Sequence, residues 1–391
     1  MDINRFIAHL NEQAAADQSG QNRKLDLYCD IGDGALERAA RYMQAQGLER
    51  VVVTADKNTL QAAGEELCAA LEQAGVAYEV CLISEDRNGD VIADEAAVVQ
   101  AMLAVSEATQ AIIAVGSGTI HDIVRFVCYK TGKRFVSIPT AASVDGYAST
   151  GAPMIVRRFK QTVPCMAPEA IFADLDILVQ APRRLTAAGF GDMLGKYTSL
   201  ADWQLSRLLG AEPFSQLAYE VTEQALNACV EKVDEIARGG KQGIAILFDA
   251  LLRSGLSMML IGHSRPASGG EHHLSHMWEM ECLKEERPQL LHGAKVGVAS
   301  VLLAQVYRRL ALRAEETPAL SVYARLPEPE QLASMLKLCG GPSTIAELGI
   351  SESLAGQALR EAHQLRDRYT GLRYIHEAIG PSASEFEGLF G

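Results

Sequence analysis

Five of the nine histidines fall between His263 and His292. They lie in Gly-Gly-Glu271-His272-His273-Leu-Ser-His276 and, further on, in Leu-Leu-His292-Gly-Ala-Lys295, downstream of Gly-Phe-Gly-Asp192-Met-Leu-Gly-Lys196. One carboxylate and imidazoles from two separate segments can hold a divalent ion and leave a position open for a substrate oxygen, which is the pattern of a catalytic metal. His272 and His276 are four apart and share a helix face, so one can be a ligand while the other reaches the reacting group. His273 points about 100° away on the same helix and reads as structural or surface. A lone histidine on a helix is more often a satisfied core group; three clustered with a separate Gly-Asp-x-x-Gly turn favour the metal. Asp192 is the least specific member, being one of 49 acidic residues.

Two polar turns could hold the rest of a reaction. Gly116-Ser117-Gly118-Thr119-Ile120 follows an apolar run and opens a helical one; glycines let a backbone approach a pyrophosphate, and amides at a helix start donate to its oxygens. It is not the Gly-x-Gly-x-x-Gly fingerprint, since His121 stands where the third glycine would. Thr140-Ala-Ala-Ser143-Val-Asp145-Gly-Tyr-Ala-Ser149 follows the next apolar run, so both turns should face one crevice; a loop of small residues chosen for turn geometry reads the same way. Asp56 ends a third run, where a carboxylate accepts from a ribose or simply caps the helix behind it.

These groups need a sheet and helices to position them. Residues 25–29, 51–54, 78–83, 111–115 and 135–138 read as strands, with helical spacing at 58–74 and 92–104 between them. Strand and helix in alternation imply a parallel sheet covered on both faces, with ligands at the carboxyl ends of the strands. From about Thr186 the rhythm is helical: 194–209, 215–238, 243–261, 295–312 and 328–338, then a capping box at Thr344-Ile-Ala-Glu347 that opens another helix, and a tail that runs through 354–368 to a polar, Gly-closed end. The expected class is α/β, with a nucleotide-binding domain over 1–180, a helical metal- and substrate-binding domain over 181–391, and the site in the cleft between them.

With 391 residues, 48% hydrophobic and 22% charged, the chain is globular and long enough for two domains. A net charge of -13 argues against nucleic acid or an anionic membrane as partner, though a local basic pocket can still take a small anion. The eight cysteines are scattered without a Cys-x-x-Cys pair, which excludes a thiolate zinc ribbon and suits a cytoplasmic address. Neither a signal peptide nor a run of 18 apolar residues is evident, so no membrane span is expected.

In order along the chain, Gly-Ser-Gly-Thr-x-x-Asp122, Pro139-Thr140 with Asp145, Gly-Asp192, Glu-His272-x-x-x-His276 and His292-Gly resemble the superfamily of iron-containing alcohol dehydrogenases, glycerol dehydrogenases and dehydroquinate synthases. Ser-Gly-Gly-Glu271-His-His-Leu-Ser-His276 and the Asp145 loop resemble its bacterial glycerol-1-phosphate dehydrogenase branch, of the arabinose-operon type, more than plain glycerol dehydrogenase. The resemblance implies a Rossmann-like domain followed by an all-helical one. It implies metal ligation by Asp192, His272 and His292, with zinc, nickel or iron as the ion, and substrate contact by His276 and Asp145. NAD or NADP would lie against Asp56, Gly116, Ser117, Gly118, Thr119, Ile120, Thr140, Ser143 and Ser149.

The implied reaction interconverts dihydroxyacetone phosphate and sn-glycerol 1-phosphate. Arg265, at the offset where dehydroquinate synthases carry an arginine for an anionic substrate, and Lys196, one turn after Asp192, are the candidates for the phosphate. A homo-oligomer, a dimer, is expected. Two other readings stay open: a glycerol or polyol dehydrogenase with no phosphate requirement, and a sensor that binds metal and nucleotide without turnover.

Overall fold

The computed structural model describes residues 2–17, 20–380 and 383–389. Eight strands occur among them: β1 (Tyr28–Gly32), β2 (Arg50–Ala55), β3 (Ala77–Leu82), β4 (Ala111–Gly116), β5 (Arg134–Pro139), β6 (Gly151–Val156), β7 (Phe159–Pro164) and β8 (Ala170–Asp174). Six form one sheet in the order β1-β8-β5-β4-β2-β3, parallel throughout. Its central strands are buried along their length, as expected of a sheet covered on both faces. The helices that matter below are α1 (Ile3–Ala16), α2 (Glu95–Leu103), α3 (Gly118–Thr131), α4 (Arg183–Leu194), α5 (Lys196–Leu208), α6 (Lys241–Ile261), α7 (Gly270–Lys284) and α8 (His292–Ala311). The parallel sheet followed by helices is the expected α/β class.

Three local expectations change. The first strand runs over Tyr28–Gly32 instead of 25–29, because side chains of α1 take the earlier backbone. Asn11 donates to the Leu25 carbonyl and accepts from its amide, at 2.9 and 2.7 Å, so Leu25 has no need of a ladder partner. Asn4 does the same for Cys29, at 2.7 and 2.9 Å. Second, β8 and the β6–β7 hairpin are additional; Arg157 and Arg158 turn the hairpin with φ of 52° and 65°, the two left-handed residues of a type I′ turn. Third, Asp192 lies inside α4 rather than on a turn. Helix α6 is long and apolar enough to cross a membrane by length and composition, yet 72% of its apolar window is buried in the protein. It is the core helix against which α1 packs Ile3, Phe6, Ile7 and Leu10.

Glycines bring the site elements together. A Cβ on Gly293, at the start of α8, would fall on the Ala188 carbonyl of α4, and one on Gly191 would fall on the Gly293 carbonyl. A Cβ on Gly189 would strike the carbonyl of Ala142, in the loop after β5. Helix α4 therefore touches both α8 and that loop at backbone distance, which places Asp192 between His292 and Asp145. Neither backbone can move away without opening the core, so Gly293→Ala should destabilise the protein by roughly 2–4 kcal/mol, as overpacking of a rigid contact does. Urea unfolding measures this, and a wild-type midpoint would disprove the close crossing.

Candidate metal and nucleotide site

Asp192, His272 and His292 each turn a ligand atom toward a common point, and these atoms all lie within 4.8 Å of one another. Asp192 and His272 are buried and His292 is half-buried. Burial drives the His272 imidazole well below its usual range, with His292 and Lys196 adding to the effect. Burial likewise takes His292 down to about 3, with Lys160 and Lys295 contributing. Both rings are thus neutral, the form in which imidazole ligates. Glu271 sets the tautomer. Its carboxylate accepts from His272 Nδ1 at 2.7 Å, from Thr198 Oγ1 at 2.6 Å and from the Gly269 amide at 2.6 Å. The proton is held on Nδ1, and the Nε2 lone pair is left facing Asp192 Oδ1, 4.0 Å away. An O/N/N donor set with neutral imidazoles and an orienting carboxylate fits a divalent ion.

Behind the triad is an ion-pair core. Lys196 Nζ is fully buried and lies 2.8 Å from both Asp192 Oδ1 and Asp145 Oδ2, with the Ala267 carbonyl at 3.1 Å. Burial opposes its charge, but Asp145 and Asp192 together hold its pKa above the ordinary lysine value. Asp145 also donates its amide to Asp192 Oδ2 at 3.0 Å and accepts from Ser254 at 2.8 Å. Lys196 is therefore committed to the two aspartates. Arg265 is also committed elsewhere: its Nε meets Glu212 at 2.9 Å, and it is not part of the cleft wall. His276 faces the cleft with its ring 6.4 Å from that of His272 and makes no hydrogen bond to another described residue. His273 is completely buried, which makes it structural and not a surface residue.

The cleft, of about 320 Å³, runs from the triad to the sheet's carboxyl edge. Ser117, Gly118, Thr119, Ser143, Asp145 and Ser149 are in its wall. Ser117 leaves the first amides of α3 without a side-chain cap, as a phosphate cradle requires. Gly116, Ile120, Thr140 and Asp56 are not among the residues that line the cleft. Ile120 covers Gly116, Thr140 donates its amide to the Gly116 carbonyl at 3.0 Å, and Asp56 caps the turn at Lys57–Thr59 through the Thr59 amide at 2.8 Å.

Sequence reasoning missed Glu271, whose position next to a ligand histidine was the available signal. It also missed Glu279, Lys160, Lys295 and Arg366, all in the cleft wall.

A parallel sheet with a glycine turn at its carboxyl edge, facing an O/N/N triad on helices, defines the class of metal-dependent nicotinamide dehydrogenases. The family model "Iron-containing alcohol dehydrogenase" matches residues 30–182. The chain is 44% identical to glycerol-1-phosphate dehydrogenase of Geobacillus stearothermophilus, over 89% of this chain and 92% of that one. It is 46% identical to the enzyme of that name from Bacillus subtilis strain 168, covering 89% and 90%. In fold it is similar to glycerol dehydrogenase from Schizosaccharomyces pombe, with a TM-score of 0.70 at 20% identity over 94% and 91%. The chain belongs to the glycerol-1-phosphate dehydrogenase family, and the resemblance read from its motifs is borne out.

Glu271 gives a direct test of how the ligands are held. Glu271→Leu removes the acceptor for His272 Nδ1, and metal affinity should drop roughly 10–100-fold, the usual effect of losing such a partner. Metal titration of the apoprotein reads this out; unchanged affinity would show that His272 needs no orientation.

Proposed function

We propose that the protein interconverts dihydroxyacetone phosphate and sn-glycerol 1-phosphate with NAD(H) or NADP(H), using one divalent ion (zinc, nickel or iron) held by Asp192, His272 and His292. The observation that carries the reading is that His272 and His292 of the triad line the same cleft as the uncapped Ser117–Thr119 turn. The names of the relatives, glycerol-1-phosphate dehydrogenase with NAD(P)+, support the substrate and the nucleotide.

When bound, the ion supplies Lewis acidity toward the ketone oxygen. The nucleotide supplies the hydride, or accepts it in the reverse direction. The chain's own residues do the rest. The Ser117–Thr119 amides hold the dinucleotide phosphates, Ser143 and Ser149 border the nucleotide, and Gly116, Ile120 and Thr140 shape that turn, with Asp56 at the end of the neighbouring strand. Lys196 pairs with both Asp192 and Asp145 and fixes the direction in which Asp192 points. His276, whose ring nitrogens have no hydrogen-bond partner among the described residues, relays a proton at the C2 oxygen. Burial keeps its imidazole neutral, with Lys160 and Arg366 reinforcing this, so it works as a relay and not as a standing cation.

The assembly is proposed to be a homodimer. Its support is the unpaired edge of the sheet, where Val80 and Leu82 of β3 and Val99, Met102 and Leu103 of the adjacent α2 are exposed; light scattering tests it. The proposed cytoplasmic address rests on eight cysteines that are all unpaired.

Oxidation of NADH and NADPH with dihydroxyacetone phosphate, against dihydroxyacetone, tests the function. Preference for the phosphorylated ketone should approach about 10⁴-fold, as in sites built around a specific substrate group. Equal rates would favour a polyol dehydrogenase, and nucleotide binding without turnover would favour a sensor.

Substitutions separate the roles of the residues. Asp192→Ala, His272→Ala and His292→Ala should each lose metal by elemental analysis. His276→Ala should keep it and slow turnover on the order of 10²–10⁴-fold, the range of a proton-transfer group. Metal loss in His276→Ala would make His276 a ligand instead.

A further inference from the structure

Three cationic side chains reach the cleft wall: Lys160, Lys295 and Arg366. Two of them are already neutralised in part. Lys160 meets both oxygens of Glu279 at 2.7 Å, and Lys295 shares one of those oxygens. Burial opposes charge on Glu279, yet the two lysines hold its carboxyl well below the usual range. One carboxylate thus serves two ammoniums, and the trio keeps a single positive charge in excess.

Arg366 is different. It forms no salt bridge among the described residues, although the chain carries 49 acidic groups. Its protein acceptors are two hydroxyls: Nη1 donates to Ser268 Oγ at 2.9 Å and Nη2 to Ser264 Oγ at 3.4 Å. Neither serine hydroxyl has an acceptor for its own proton among the described residues. Behind them Arg368 occupies the backbone of the same turn, donating to the Ser264 carbonyl at 3.3 Å, to the Ser268 carbonyl, and to Ser264 Oγ at 3.2 Å. The carbonyls of residues 264 and 268 are thus drawn back toward Arg368. What faces the cleft is donors: the remaining guanidinium N–H groups and two hydroxyls.

A buried guanidinium with no carboxylate in contact is costly; Glu271 acts on Arg366 only through space, and a protein this acidic could have supplied a closer charge. An anionic ligand completes the arrangement, and the planar fork of arginine matches phosphate geometry. Position agrees. Ser268 precedes His272 by four residues, and Arg366 acts electrostatically on both His272 and His276, so the donors border the metal triad. We propose that Arg366, assisted by the hydroxyls of Ser264 and Ser268, binds the phosphate of the substrate and sets the preference for a phosphorylated ketone. The assignment rests on the dehydrogenase reading above, and it moves phosphate recognition away from Arg265 and Lys196, whose charges are used internally.

The test uses metal-loaded enzyme and its Arg366→Met, Arg366→Lys, Ser268→Ala and Lys295→Met variants. For each, kcat/KM is measured on dihydroxyacetone phosphate and on dihydroxyacetone, with inorganic phosphate as inhibitor. In Arg366→Met the ratio of the two kcat/KM values should collapse by at least about 10²-fold, mostly through KM, since a charged, hydrogen-bonded partner is lost. Arg366→Lys should recover part of the ratio, because it keeps the charge without the fork. Ser268→Ala should lower the ratio less, and inorganic phosphate should inhibit wild type competitively and Arg366→Met weakly. If Arg366→Met fails to fold, Arg366→Lys and Ser268→Ala decide: unchanged ratios in both overturn the proposal. Retained preference in folded Arg366→Met, or its loss in Lys295→Met instead, also overturns it. If wild type does not reduce dihydroxyacetone phosphate at all, the dehydrogenase reading fails. The anion site is then judged by thermal protection with inorganic phosphate, where equal protection of wild type and Arg366→Met overturns it.

Discussion

A fully buried ammonium between two aspartates organises the centre of this protein. Lys196 starts α5, Asp192 belongs to α4, Asp145 sits in the loop after β5, and the Ala267 carbonyl comes from the turn before α7. Four separate segments meet at one nitrogen. Asp192 has no exposure to solvent, so its charge would be prohibitive without this partner. The same contact makes the carboxylate available as a ligand in a dry, fixed orientation. The ion pair is costly as a source of stability and valuable as a source of geometry, because removing any member leaves a charge stranded.

Two further constraints extend that geometry outward. The glycine contacts of α4 with α8 and with the Ala142 backbone set the distance between His292, Asp192 and Asp145. Asp202 sets the other axis. Its carboxylate accepts from the amides of Gly270 and Gly371, both at 2.8 Å, and from the hydroxyls of Tyr323 and Tyr307, at 2.6 and 3.2 Å. Gly270 begins the helix that bears His272, and Gly371 lies five residues after Arg366. One buried side chain therefore fixes the metal triad relative to the donor wall formed by the C-terminal segment. Burial, helped by nearby Glu271, lifts the Asp202 carboxyl to about 7, and four donors offset that cost.

The sequence made the chemistry of the triad legible because its members have rare types and helical spacing, and the alternation of Val- and Ile-rich runs made the sheet legible. What escaped depended on contacts remote along the chain. The first strand was misplaced because Asn11 takes the backbone of Leu25, a pairing no local pattern reveals. β8 ends in the Asp174 that caps the next short helix, and its five buried residues read as strand or helix equally well. Arg265 and Lys196 were natural choices for an anion on sequence adjacency alone. Glu212 and the aspartate pair, which claim them, are recognisable only in three dimensions. Arg366 lies 94 residues after His272, beyond any motif.

The distribution of charge explains how an acidic chain can present a cationic cleft. Lys160 comes from the β6–β7 hairpin of the sheet half, whereas Glu279 and Lys295 come from α7 and α8 of the helical half. Glu279 thus joins the two halves across the cleft with both oxygens used, and at the hairpin tip Arg158 adds a pair with Glu286. These pairs spend their positive charge on holding the walls in position. Arg366, in the same cleft wall, makes no salt bridge among the described residues. A substrate carrying a phosphate at one end and a ketone in the middle would then meet a partly compensated wall at Lys160 and Lys295 and a guanidinium without a salt bridge at Arg366. That difference would favour the substrate direction that places the dianion beside the guanidinium, whose acceptors among the described residues are hydroxyls only.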